Sequence, residues 1–393
     1  VHTLTSEYLR KIYGKNHFND KSATEVLLGM MFNPVEWSKK PIIKISHSKL
    51  RNLIGNTDMD SKYIHVSFND FFVENGNYLL AKGVETAYEK LAKDRDLYDK
   101  DIIKVDERVN ICFAIFGSGI FRLFPLPKDS NNTWLTYTQS TEFSGNDSLF
   151  VANIMPMYFK AVEEGITTNN WITADTIVGY IQRFQRKYGV EILPEKNKIN
   201  LEISYNKTSI FSSLFMYYFI VSFLLLVVVI ISLFNNKKLI ISLIKLLKWL
   251  IILGFLAHTF GLGIRWYISG HAPWSNGYES MIYIAWATIL SGIIYTKKSA
   301  LTLAATAMVS ALLLMVAHLN WLDPEITNLV PVLKSYWLMI HVAIITASYG
   351  FLLLGSILGF ISLWLVIFTN SNNKSKLQNT LSELTIINEK TLE

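Results

Sequence analysis

The chain has 393 residues, a formal net charge of +6, 51% hydrophobic and 17% charged residues. Residues 1–207 carry 26 Lys and Arg against 25 Asp and Glu, whereas residues 208–369 carry only 11 charged side chains. That division excludes a uniformly soluble protein, the aromatic and aliphatic content of the first half excludes a disordered one, and the balanced charge there gives no nucleic-acid signal.

In chain order, Ser6–Tyr13 and Ser22–Met31 have the apolar spacing of helices. Pro41–Ser46 and Tyr63–Phe68 read as short strands, and Ala81–Leu97 and Lys104–Phe116 as helices. Thr173–Tyr188 reads as a helix, capped by Thr173 or Asp175 and stopped by Gly189. Ile199–Ile203 alternates as a strand. Loops are expected at Asn56-Thr57-Asp58, at Pro125-Leu126-Pro127 and at Gly145-Asn146-Asp147. Gly117-Ser118-Gly119 lacks the Gly and Lys of a phosphate loop and reads as a tight turn. His2, His17, His47 and His65 show no metal-ligand spacing. The single cysteine, Cys112, permits no intramolecular disulfide, and there is no C-x-x-C-H motif for a covalent haem.

Five charge-free stretches follow. They hold 29 residues between Lys207 and Lys237, 16 between Lys248 and Arg265, 17 between Glu279 and Lys297, 24 between Lys298 and Asp323, and 39 between Lys334 and Lys374. A spanning helix needs about 20 apolar residues. Borrowing from their flanks, the spans are expected at about 210–234, 246–267, 278–295, 300–319 and 336–368. The links after the first and third spans hold Lys237, Lys238, Lys245, Lys248, Lys297 and Lys298, and the segment after the fifth holds Lys374 and Lys376. The opposite links hold only Arg265 and Lys334. The positive-inside rule therefore puts the Lys-rich side in the cytoplasm and the first half outside. The expected fold is an integral membrane protein, mainly α: an extracytoplasmic, mixed but mostly helical domain over 1–207, five transmembrane helices over 208–369, and a cytoplasmic polar tail over 370–393.

Two stretches carry chemistry. Arg265 to Glu279, Arg-Trp-Tyr-Ile-Ser-Gly-His-Ala-Pro-Trp-Ser-Asn-Gly-Tyr-Glu, joins the second span to the third. Its aromatics suit the interfacial belt. Arg265, His271, Asn276 and Glu279 are not explained that way, because charges at a span's edge pair or bind something. The second stretch is Leu329–Val342, which places His341 one to two turns inside the fifth span. Trp337, Leu338, Ile344 and Ile345 would wall it on the same helix. A neutral imidazole on an aromatic wall fits a haem iron ligand; an interhelical hydrogen bond fits it as well. His258, in mid-span, is either packed with a hydrogen bond or a ligand during haem passage, and His318 reads as interfacial.

Gly270-His-Ala-Pro-Trp-Ser-Asn-Gly-Tyr-Glu-Ser280 with Trp286, and Leu329-Val-Pro-Val-Leu-Lys-Ser-Tyr-Trp-Leu-Met-Ile-His-Val342 with Tyr349-Gly350, resemble the two opening motifs of the CcsA/ResC family of system II cytochrome c biogenesis. The first half more loosely resembles the CcsB/ResB part of fused CcsB–CcsA synthases, through Leu4-Thr5, Leu9-Arg10-Lys11-Ile12, Trp37 and Pro41-Ile42-Ile43. The resemblance implies a lyase-class holocytochrome c synthase that presents haem b at the outer face for thioether formation with a CxxCH apocytochrome c. Thiol-reducing assembly proteins are further implied partners, and the implied location is the bacterial inner membrane with the N-terminal domain periplasmic. His341 matches the first of the family's two outer haem-ligating histidines, with Trp337 as wall. His271, Tyr278 and Asn276 fall in the opening motif near the haem edge. Arg265 either pairs with a haem propionate or with Glu279. The family's tryptophan-rich loop and second outer histidine do not occur in these 393 residues. The chain is therefore expected to be the middle of a longer fusion. A haem-binding or haem-export subunit without catalysis, or an assembly scaffold, stays open beside the synthase reading.

Overall fold

The computed structural model describes residues 2–55, 63–73, 75–234, 237–295, 299–319, 322, 324, 326, 335–369 and 374–392. The Asn56-Thr57-Asp58 turn and the Leu329–Lys334 part of the second motif lie outside the described residues. The chain divides into two compact units, Val1–Glu195 and Lys196–Glu393.

The first unit is mostly helical, with helices α1 (His2–Tyr13), α2 (Ala23–Phe32), α3 (Pro34–Trp37), α4 (Ser48–Leu53), α5 (Ala81–Glu89), α6 (Leu97–Phe116), α7 (Gly145–Thr168) and α8 (Ile172–Tyr188). Among the described residues, three antiparallel two-stranded ribbons accompany them: β1 (His17–Phe18) with β2 (Lys21–Ser22), β3 (Ile43–Ile45) with β4 (Ile64–Val66), and β5 (Phe124–Pro125) with β6 (Trp134–Leu135). Caps set the starts. Ser22 and Glu25 form a capping box at α2, and Asp96 and Asp99 form one at α6. The Lys90 ammonium sits 2.7 Å from Asp99 and, with the cap's hydrogen bonds, holds that carboxyl below the usual range. One core gathers Leu9, Ile12, Leu27, Met30, Ile43 and Ile102 from α1, α2, β3 and α6. A second gathers Val151, Ile154, Ile177, Ile181 and Phe184 from α7 and α8 with Phe124 and Leu135 of β5 and β6.

Several expectations change here. The helix expected over Ala81–Leu97 ends at Glu89, because the Asp96 cap starts a separate helix at Leu97. Gly145-Asn146-Asp147 opens a 24-residue helix instead of a loop, with Pro156 inside it. Helix α8 starts at Ile172, with Trp171 rather than Thr173 or Asp175 at its cap. Ser118, in the Gly117–Gly119 turn, takes a left-handed conformation at φ 56°.

In the second unit the expected strand at Ile199–Ile203 lies within helix α9 (Lys196–Thr208). Among the described residues, five helices long and apolar enough to cross a membrane follow: α10 (Ile210–Phe234), α11 (Lys238–Ser269), α12 (Gly277–Tyr295), α13 (Ala300–His318) and α14 (Tyr336–Ile367). The unit is a multi-pass membrane bundle. Helices α11 and α14 each have 32 residues. At 1.5 Å per residue each is about 48 Å long, against a hydrocarbon core of about 30 Å. The second span looked short in the sequence because Lys245 and Lys248 interrupt the charge-free run. Lysine stems can lie along apolar surface while the ammonium reaches water, so the helix continues through them.

Small residues set the packing. Helix α13 is the most enclosed and buries Ala304, Ala305, Ala307, Ala311 and Ala317. A Cβ on Gly350 would stand 2.9 Å from the Ala287 Cβ and 2.8 Å from the Thr288 nitrogen, so α14 and α12 touch through backbone. Three buried hydroxyls are satisfied by carbonyls: Thr288 donates to Ile284, Thr306 to Thr302, and Ser310 to Ala285 on the neighbouring helix. The stretch expected as a polar tail contains helix α15 (Lys374–Leu392). Its Leu377, Leu384 and Ile387 are buried, and the Tyr295 hydroxyl donates to the Lys390 carbonyl at 3.3 Å.

Candidate functional site

The α11–α12 connection is built around a buried ion pair. Arg265, on the last turns of α11, is fully buried, and Glu279, in the first turn of α12, is 1% exposed. Arg265 Nε donates to Glu279 Oε1 at 2.8 Å. The other carboxylate oxygen, Oε2, accepts from the Ser275 backbone N–H at 2.8 Å and from its hydroxyl at 2.5 Å. Asn276 Oδ1 accepts from the Glu279 N–H at 2.8 Å, the bond of a helix N-cap. Gly270 ends α11 in the left-handed region at φ 75°, which glycine adopts without steric strain. The same guanidinium donates from Nη1 to the Pro324 carbonyl at 2.9 Å and lies over the Tyr278 ring at 5.2 Å. It reaches the Tyr205 hydroxyl of α9 at 3.5 Å. Burial raises the pKa of that phenol. One arginine therefore ties together α9, α11, α12 and the segment between α13 and α14. Of the two partners expected for Arg265, Glu279 is the one the structure pairs with it.

Arg265, Asn276, Tyr278 and Glu279 thus form one closed knot. His271 lies beside it, half-buried. Its backbone N–H donates to the Ser269 hydroxyl at 3.2 Å, that hydroxyl donates to the His271 carbonyl at 2.8 Å, and its Nδ1 is 3.2 Å from the Ala272 carbonyl.

Trp274 carries the connection to α14. Its indole N–H donates to the Met339 carbonyl at 3.2 Å, two residues before His341. The ring also packs at 4.9 Å on Tyr283 and at 5.7 Å on Trp266. His341 itself stands on an exposed face of α14, and among the described residues no group hydrogen-bonds its imidazole. Trp337, one turn earlier, is 77% exposed, and Ile344 and Ile345, one turn later, are exposed as well. They share a helical face with His341. The interhelical hydrogen bond considered for His341 is not made among the described residues; His258 does make one, to the Ile282 carbonyl at 3.1 Å. His318 is exposed, with Nδ1 2.9 Å from the Ser212 hydroxyl.

The sequence reading missed the bridging role of Trp274, which it placed in the interfacial belt, and the parts of Ser275, Tyr205 and Pro324. Asn276-x-x-Glu279 is a capping pattern, and it signals that Glu279 faces back into the connection. Nothing local marks Tyr205 or Pro324, which meet Arg265 from 60 and 59 residues away.

Residues 274–392 match the family described as Cytochrome C assembly protein. The whole chain aligns with Protein NrfI of Wolinella succinogenes at 37% identity, covering 43% of that protein. It is 36% identical over 135 residues to the cytochrome c biogenesis protein CcsA of Prochlorococcus marinus strain MIT 9303, covering 33% of this chain and 41% of that one. It is 36% identical over 133 residues to CcsA of Guillardia theta, covering 33% and 43%. The chain spans less than half the length of these curated relatives. Residues 274–392 are thus similar to cytochrome c assembly proteins, and both of the motifs singled out in the sequence reach into that stretch.

Proposed function

We propose that this chain serves cytochrome c maturation by holding haem, as substrate, against α14 with His341 as an axial ligand to the iron and Trp337 as the adjoining wall. The observation that carries this reading is the exposed, unengaged His341 imidazole on an apolar helical face with Trp337, Ile344 and Ile345. That donor chemistry and that flat apolar surround suit a haem. The match to the Cytochrome C assembly protein family over the same helix supports it.

The reaction served is addition of each cysteine thiol of a CxxCH apocytochrome c across a haem vinyl group. Sulfur bonds the carbon next to the ring, the proton ends on the terminal carbon, and no external oxidant or reductant enters the sum. In this reading the chain's own groups bind and orient. His341 fixes the haem centre, and Trp337 excludes water from one side. The Arg265–Glu279 knot acts at a distance: it holds the 270–276 connection, and Trp274 transmits that position to α14. His271 lies at the haem edge as part of that connection. The Lys-rich ends of the bundle face the cytoplasm, which puts the first unit, with the 268–279 link, on the periplasmic side of a bacterial inner membrane. An apocytochrome would dock on that side, with thiol-reducing assembly proteins as further partners. The fusion with a CcsB/ResB-like part, and the boundary at 207, belong to this reading too.

The test is spectroscopic. The full chain, purified with haem in detergent or nanodiscs, is expected to show a Soret band that His341→Ala abolishes and His271→Ala leaves in place. A band that survives His341→Ala refutes the ligand assignment. No band in the parent chain refutes haem holding by this chain.

A further inference from the structure

Outside the knot, three polar side chains in the membrane-embedded core have atoms that meet no partner among the described residues: Thr302 of α13, His258 of α11 and Tyr218 of α10, of which the last two are neighbours. His258 of α11 is fully buried, and its Nδ1 has no hydrogen-bond partner. Tyr218 of α10 is also fully buried, and its hydroxyl has none. Their rings are neighbours, with centroids 6.1 Å apart. Tyr218 reaches this position because the facing residue is Gly254, one turn before His258. A Cβ there would stand 2.7 Å from the tyrosine ring.

The tautomer follows from the third helix. His258 Nε2 lies 3.1 Å from the Ile282 carbonyl of α12. A carbonyl only accepts, so Nε2 carries the proton and Nδ1 presents a lone pair. The Tyr218 phenol can donate. A buried acceptor and a buried donor therefore sit on neighbouring rings without bonding each other, in surroundings where unmet polar groups are strongly disfavoured.

We propose that His258 Nδ1 and the Tyr218 hydroxyl bind one ordered water molecule between α10 and α11. Tyr218 donates to the water, and the water donates to Nδ1. Phe211 packs on the imidazole at 5.4 Å, edge to face. A one-atom ligand suits two fully buried side chains and a flat macrocycle does not, so His258 is assigned to this water rather than to haem passage. The imidazole then links three helices: α11 carries it, α12 accepts from one nitrogen, and α10 reaches the other through the water. This inference is independent of the function proposed above.

The test uses the full chain in lipid nanodiscs with ¹⁵N-histidine. His258 is expected to be neutral, protonated on Nε2, with an Nδ1 resonance displaced from that of a free imine nitrogen. Tyr218→Phe, which removes one oxygen and keeps the ring, is expected to return Nδ1 towards the free-imine position. It is also expected to remove the density that a high-resolution cryo-EM map shows within hydrogen-bond reach of both atoms. A proton on Nδ1, an Nδ1 resonance unmoved by Tyr218→Phe, a direct Tyr218–His258 bond, or no density at the site would each overturn the proposal.

Discussion

Replacing Arg265 by alanine is the sharpest test of the site's construction. The substitution leaves the Glu279 carboxylate buried with only the Ser275 bonds, and it leaves the Pro324 carbonyl without the guanidinium. Removing one partner of a buried ion pair costs about 3–5 kcal/mol, because the other charge stays desolvated. For a cooperative unit of the size of residues 196–393, each kcal/mol moves the midpoint by about 2–4 °C. The expected fall is therefore at least about 6 °C and up to about 20 °C. Thermal unfolding in nanodiscs, followed by circular dichroism, measures it. Tryptophan fluorescence reports the same loosening locally, since Trp266 and Trp274 pack together beside the pair. The paired replacement Arg265→Met with Glu279→Leu removes both charges and is expected to recover much of the loss. Arg265→Lys keeps the charge without the forked donors and is expected to fall between the parent and the alanine variant. A midpoint for Arg265→Ala within about 2 °C of the parent would refute the view that this pair organises the connection.

Trp274→Phe keeps an aromatic ring but loses the bond to the Met339 carbonyl, worth about 0.5–1.5 kcal/mol; weaker haem retention with His341 intact checks it by titration. Gly350→Val forces side-chain atoms into the α12 backbone and is expected to destabilise the bundle by about 1–3 kcal/mol, read from the thermal midpoint. In the first unit, burial lowers the His65 pKa, so the folded state binds its proton less readily than the unfolded chain. The resulting stability is complete above the unfolded value of about 6.5 and is lost as pH falls through the lowered folded value; His65→Phe should flatten that acid limb in pH-dependent melts. Cys112 is buried and its thiol pKa is pushed up, so thiol reagents should label it only when the first unit opens. Labelling at the rate of an exposed cysteine under native conditions would contradict that placement.

The spans were legible because a run such as Ile210–Phe234 admits no other solution in lipid. Every backbone group there must bond within the helix. Charge gaps were a poorer guide to helix ends, as Lys245 and Lys248 within α11 show. Ile199–Ile203 alternates like a strand, but among the described residues no strand pairs with it and the segment lies in a helix that belongs to the second unit. Gly145-Asn146-Asp147 has turn composition, yet glycine and an acidic residue also suit a helix start, and local composition does not separate the two. Within the site, Arg265 and Glu279 were readable as charges needing partners. Their meeting follows from a loop whose ends Gly270 and Asn276 fix. The third and fourth partners, Tyr205 and Pro324, depend on how distant helices pack, which no local pattern encodes.

The Arg265–Glu279 pair also bears on how the chain enters the bilayer. The two residues are 14 positions apart on consecutive helices, so they emerge from the ribosome within moments of each other. Alone, α11 would present a guanidinium at its trailing end, and α12 a carboxylate at its leading end. Burying either charge at the centre of a helix carries a transfer penalty of about 2.5–3.5 kcal/mol. Joined, they would enter as one electrically neutral hairpin, with the Pro324 bond still to form. In the proposed orientation, the residues that organise the finished connection would thus also lower the barrier to inserting it.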